Sequence, residues 1–165
     1  MDSTEPGPSR RLLGWTLVGG QVALLGALVL TPTRDDWAVP VPLRVAGNVL
    51  TAAGVAGMAA AGLGLGRGLT ATPLPNRAAR LRTTGLYAHM RHPIYSALLM
   101  FAAGRVVVSG SLIRTGLLVL LAVLLTGKAR WEERLLAERF PDYPAYATEV
   151  PRFLPRPLRR RHRAD

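Results

Sequence analysis

The chain has 165 residues, enough for one compact domain, and 49% of them are hydrophobic. Its formal charge is +11, but the basic residues sit at the borders of apolar runs, as membrane topology places them, so no nucleic acid is expected as a partner and Arg159-Arg160-Arg161 is read as a solvated tail. The lack of Cys excludes disulfides, Cys-ligated zinc and thiol catalysis, and His89, His92 and His162 show no metal-ligand spacing, so no metal site is expected.

The first residues, Met1-Asp2-Ser3-Thr4-Glu5-Pro6, are acidic and unlike a cleavable leader. Leu12 to Thr31 is the first apolar run, interrupted by Gln21 and small residues. About 20 such residues cross a bilayer as a helix. Pro32, Asp35, Asp36, Pro40 and Pro42 form a short polar turn. Leu43 to Gly66 is a second run, rich in Gly and Ala. Its pairs Gly57/Ala61 and Gly62/Gly66 have the small-xxx-small spacing that lets helix backbones approach closely in lipid. Arg67 to Arg91 is a hydrophilic joint in which Pro73 and Pro75 exclude a continuous helix, and Gly85 marks a turn.

Ile94 to Val108 and Leu112 to Gly127 are two further apolar helices joined by a Ser109-Gly110-Ser111 turn. Both are short for a full span. Arg105 and Arg114 flank the tip and are expected to snorkel outward. The last helix continues through Arg139, and Pro141 and Pro144 stop it. An aromatic tail with Phe140, Tyr143, Tyr146 and Phe153 follows. The expectation is an all-α, multi-pass membrane bundle of about four membrane helices with a helical extension and tail. Its units are 1–66 (two membrane helices), 67–157 (joint, hairpin and tail) and 158–165 (basic end). Lys and Arg bias places both termini and the joint in the cytoplasm of a bacterial cell membrane. Oligomeric state is not legible.

The hairpin brings two polar clusters to one level. His92 lies 18 residues before Gly110, and Glu132 lies 22 after it. At a helical rise of about 1.5 Å per residue they differ by only ~6 Å in depth. Arg91-His92-Pro93-Ile94-Tyr95 should therefore face Trp131-Glu132-Glu133-Arg134 at a membrane surface. Ionisable groups in such a place are candidates for function. Each also has a plainer reading: Arg91 and Arg130 as interfacial anchors, Tyr87 and Tyr95 as an aromatic belt, Glu132 and Glu133 as exposed helix charges.

Gly85-Leu86-Tyr87, Arg91-His92-Pro93-Ile94-Tyr95, Gly104, Glu132-Glu133, and Phe140 through Tyr143, Tyr146 and Pro155 together resemble the isoprenylcysteine carboxyl methyltransferase family, with the related phospholipid N-methyltransferases. The resemblance covers about residues 73 to 157. It departs at Ala97 and Pro141, where Gly is frequent. It implies an integral membrane methyltransferase that uses S-adenosylmethionine on a lipophilic, isoprenoid- or lipid-like acceptor. By that resemblance Tyr87, His92, Pro93, Tyr95, Gly104 and one or both of Glu132 and Glu133 would line the cofactor pocket, and Tyr143 and Tyr146 would close over the cofactor. Arg91, Glu133 and Arg130 would serve the transfer, with Arg130 or Arg152 holding a carboxylate acceptor. The alternatives are an NADPH-dependent enzyme like the sterol reductases and a non-catalytic membrane scaffold.

Overall fold

Proline at the first or second position opens α1 (Pro8–Leu30), α2 (Val41–Leu65), α3 (Pro93–Ser109) and α5 (Tyr143–Glu149). There the missing N–H costs nothing, because the first helical donors have no partner within the helix. Ser111 opens α4 (Leu112–Arg139) instead, its hydroxyl accepting from Arg114 N. The computed structural model describes residues 7–32, 36–66 and 81–155. Most of the joint, including Pro73, Pro75 and Arg77, and the Arg159-Arg160-Arg161 end lie outside them. Among the described residues the secondary structure is entirely helical, apart from turns.

This is the expected helical membrane bundle. Three helices, α1, α2 and α4, are long and apolar enough to cross a bilayer. The apolar α3 has 17 residues, or about 26 Å, slightly less than a hydrocarbon core of about 30 Å. Past Gly127 the apolar stretch of α4 ends, and its last turns carry Lys128, Arg130, Glu132, Glu133, Arg134 and Glu138. Pro144 does not stop a helix as expected. It sits in the first turn of α5, so the aromatic tail is partly helical.

Lipid tails are as apolar as Leu, so close packing and polar contacts, rather than escape from water, hold such helices together. α2 and α3 meet through glycine. A methyl at Gly54 would lie 2.6 Å from Phe101 N and 2.8 Å from Ala97 O, and one at Gly104 would lie 2.6 Å from Gly47 O. The seam is therefore Gly47, Gly54 and Gly57 against Ala97, Phe101 and Gly104, one stretch earlier in α2 than the Gly62/Gly66 pair. On the other side of α3, Leu98 and Ala102 join Leu28 of α1 and Leu121 and Leu125 of α4 in the buried core.

Gly110 ends α3 in the left-handed conformation (φ 54°), where a side chain would be strained. Its carbonyl accepts from Asp36 N and Trp37 N, and Asp36 Oδ2 accepts from Leu112 N at 2.7 Å. The α1–α2 turn is thus bonded to the α3–α4 tip. At the opposite end the chain after α5 folds back beside the start of α3, with Arg91 N donating to Pro151 O and His92 N to Arg152 O.

Candidate functional site

The hairpin brings Arg91, His92 and Tyr95 against Glu132 and Glu133, and the segment after α5 adds Arg152. Glu133 is the hub. Arg152 grips it through two bonds, Nε to Oε1 at 2.8 Å and Nη2 to Oε2 at 2.6 Å. This forked pairing is the strongest geometry available to a guanidinium and a carboxylate. His92 Nε2 lies 3.1 Å from Glu133 Oε1, and Arg91 Nη2 lies 3.2 Å from the same oxygen. Tyr95 donates to Glu132 Oε2 at 2.9 Å, and His92 Nδ1 lies 3.7 Å from that oxygen. The His92 ring stacks on Tyr95, with centroids 5.2 Å apart and planes 2° from parallel, and Phe153 tilts against it.

Backbone contacts close the arrangement. Arg91 Nη1 donates to Ala147 O at 2.6 Å, Ser96 Oγ to Phe153 O at 2.7 Å, and Tyr146 Oη to Tyr87 O at 2.6 Å. The result is a clasp. Charged and aromatic groups from α3 and α4 hold the C-terminal segment across the end of the bundle. Within it, Tyr143 Oη and Arg91 Nε are buried without a hydrogen-bond partner.

Electrostatics follow this geometry. Burial alone would raise the Glu133 carboxyl, but Arg152, His92 and Arg91 together outweigh it and hold the group at about 2. The bond to Glu133 raises Arg152 in turn. Burial pushes Tyr146 up to about 12 despite the nearby Arg91 charge. Burial and the glutamates push Tyr87 and Tyr143 up as well. These phenols stay neutral, and Glu133 stays charged. With its acceptor sites filled by two guanidiniums and an imidazole, Glu133 has no spare capacity to act as a base or ligand unless an arginine leaves.

The other expected site residues lie apart from the clasp or play structural parts. Gly104 is deep in the α2–α3 seam, eleven residues along the helix from Pro93. Its lack of a side chain serves backbone contact and puts it away from any pocket at the clasp. Pro93 is the buried first residue of α3. Arg130 is exposed and absent from the clasp contacts, because it projects from another side of α4. Ala97 is buried in the seam, where Gly57 would bring a methyl within 3.2 Å of its own.

Two features were missed. Arg152, read only as a holder of the acceptor, is the main partner of Glu133. Lys128, the single Lys of the chain, is 2% exposed and donates to Gln21 Oε1 at 2.7 Å, with the Tyr95 ring 5.3 Å away. The signal was present: one amide, Gln21, interrupts the first apolar run, and the single Lys stands directly after the fourth.

No family model matches the chain. It is similar to the cobalt-zinc-cadmium resistance protein CzcN of Cupriavidus metallidurans, 38% identical over 77 residues, which are 46% of this chain and 36% of the relative. It is also similar to the nickel-cobalt-cadmium resistance protein NccN of Alcaligenes xylosoxydans xylosoxydans, 32% identical over 81 residues, 48% of this chain and 38% of the relative. The matches span less than two fifths of each relative's length. These relatives are named for metal resistance, and neither they nor any family model supports an isoprenylcysteine carboxyl methyltransferase. The methyltransferase identity and activity expected from the motifs are therefore corrected. In the fold, Arg91, His92, Glu132 and Glu133 of the Arg-His-Pro and Glu-Glu pairs are parts of the clasp. S-adenosylmethionine and a lipophilic acceptor rested on that resemblance and have no other support. Among the described residues, no group of three or more His, Asp or Glu is arranged to hold a metal ion.

Proposed function

We propose that this chain is a non-catalytic membrane component of resistance to divalent transition metals of the cobalt, zinc, cadmium and nickel group. The similarity to two proteins named for that resistance carries the reading. The clasp supports a scaffold in place of a chelating centre, because its central carboxylate, Glu133, is already paired with Arg91 and Arg152. In this reading the clasp fixes the C-terminal segment as a surface beside the membrane, and the metal is handled elsewhere in the resistance system. The Lys and Arg bias of the loops supports a cytoplasmic position for both termini and the clasp.

The test is growth of a bacterial host lacking its own divalent-metal efflux, with the full chain expressed to a measured level in the membrane. The chain should raise the tolerated concentration of at least one of the four metals, alone or with an efflux system supplied alongside. Glu133→Gln should lose that gain at equal membrane level. Unchanged tolerance to all four metals in both settings would sink the proposal.

A further inference from the structure

At the end of the bundle opposite the clasp, the structure buries a cation with too few partners. Arg114, in the first turn of α4, is 2% exposed. It does not snorkel outward as the sequence suggests. Its Nη2 donates to Thr31 O at 2.6 Å, where α1 ends, while Nε and Nη1 are buried with no hydrogen-bond partner. The acid at this end among the described residues, Asp36, is engaged by Leu112 N. A second guanidinium adds to the charge. Arg105 continues the Leu98 and Ala102 stripe of α3, the face turned toward α1 and α4, and lies five residues before Gly110 where Arg114 lies four after it, so the two share a level.

We propose that Arg114 and Arg105 form a seat for a phosphate oxyanion at the hairpin tip. Two guanidiniums repel each other, and one of them is largely removed from water. A multiply acceptor-bearing anion relieves both penalties at once. The guanidinium fork matches phosphate oxygens, and the positive end of α4 adds to the attraction. The tip also lies where the helices reach the membrane surface, the level of lipid phosphates. The shared chemistry is phosphate, supplied by a phospholipid headgroup or by the free ion.

The test uses the full chain in maltoside micelles and phosphate-free buffer. One arm adds phosphatidylglycerol and reads retained lipid by native mass spectrometry. The other adds inorganic phosphate and reads the rise in Tm. Arg114→Lys keeps a charge and a donor for Thr31 O, so the fold is retained, but it loses the fork. It should weaken binding about tenfold, and Arg105→Gln should weaken it by less. Arg44→Gln removes an exposed guanidinium from the first turn of α2 at the same end and should change nothing. Lipid retention identifies the headgroup as the source, and a Tm rise with phosphate alone identifies the free ion. The proposal is overturned if neither probe binds, if both arginine variants bind as well as the unaltered chain, or if Arg44→Gln loses as much as Arg114→Lys.

Discussion

Between α2 and α3 the backbones touch, and the contact tolerates nothing larger than hydrogen at Gly54 and Gly104. At the clasp the situation is reversed: α3 and α4 are bridged by long charged side chains, and the C-terminal segment is tied on through Arg91, Ser96 and Arg152. The seam gains from many small dispersion contacts that are lost together if the helices separate. The clasp gains from a few charge-assisted bonds whose loss leaves ions behind. A seam of this kind fixes where helices sit, whereas a clasp fixes where the segment after α4 lies. The two regions should therefore fail differently.

The largest effect is expected at the seam. Gly54→Leu places a branched side chain against the Phe101 and Ala97 backbone, which cannot yield as a side chain would. The cost should be about 3 kcal/mol or more. It should appear as lost membrane yield and a much lower Tm in detergent, with α2 freed from α3. A change below about 0.5 kcal/mol would mean that the seam is looser than described.

Glu133→Gln should come next. It leaves Arg91 and Arg152 without their anion. Breaking a buried pair costs about 3–5 kcal/mol, reduced to about 2 kcal/mol by the partial exposure of Arg152. Unlike the seam variant, it should release the residue 140–155 segment to limited proteolysis while α1 to α4 remain packed. Equal resistance to proteolysis would show that the backbone bonds suffice without the charges.

Acid should reproduce part of that loss. The folded Glu133 carboxyl lies at about 2, below its ordinary 4.5. Its contribution is therefore complete above about 4.5 and disappears as pH falls through about 2. Unfolding measured across that window should show a loss in the unaltered chain that is flatter in Glu133→Gln. The seam has no titratable side chain, so Gly54 variants should keep the same acid slope.

The smallest effect is expected from Lys128→Met combined with Gln21→Leu. Gln21→Leu alone strands the buried Lys128 and Lys128→Met alone the half-buried Gln21 amide, at about 1–3 kcal/mol for the buried group and less for the other, while the pair together should be close to neutral. A double-mutant cycle on Tm measures the difference. A strongly destabilised double variant would show that Lys128 also matters through Tyr95 and Glu132.

Much of the scaffold was legible because membrane helices announce themselves by length and apolarity. The level at which His92 meets the Glu132-Glu133 pair followed from counting residues from Gly110 to His92 and to Glu132, since a helix has a fixed rise. The partners were less legible. Arg152 follows Glu133 by 19 residues and reaches it only because α5 turns the chain back. Nothing local to Arg152 marks it as different from the other arginines. The activity was misread for a related reason. Arg-His-Pro and Glu-Glu look like a cofactor site when read as motifs, yet in the fold Glu133 is held by Arg91, His92 and Arg152.

The sequence by itself determined the four long helices and the placement of charge at the borders of apolar runs, because these depend on neighbours along the chain. Tertiary structure alone decided which glycines form the α2–α3 seam, that Arg114 turns inward to Thr31, and that Glu133 is spent on two guanidiniums. Those outcomes depend on which faces meet, and rotating a helix about its axis changes that without changing its length or hydropathy.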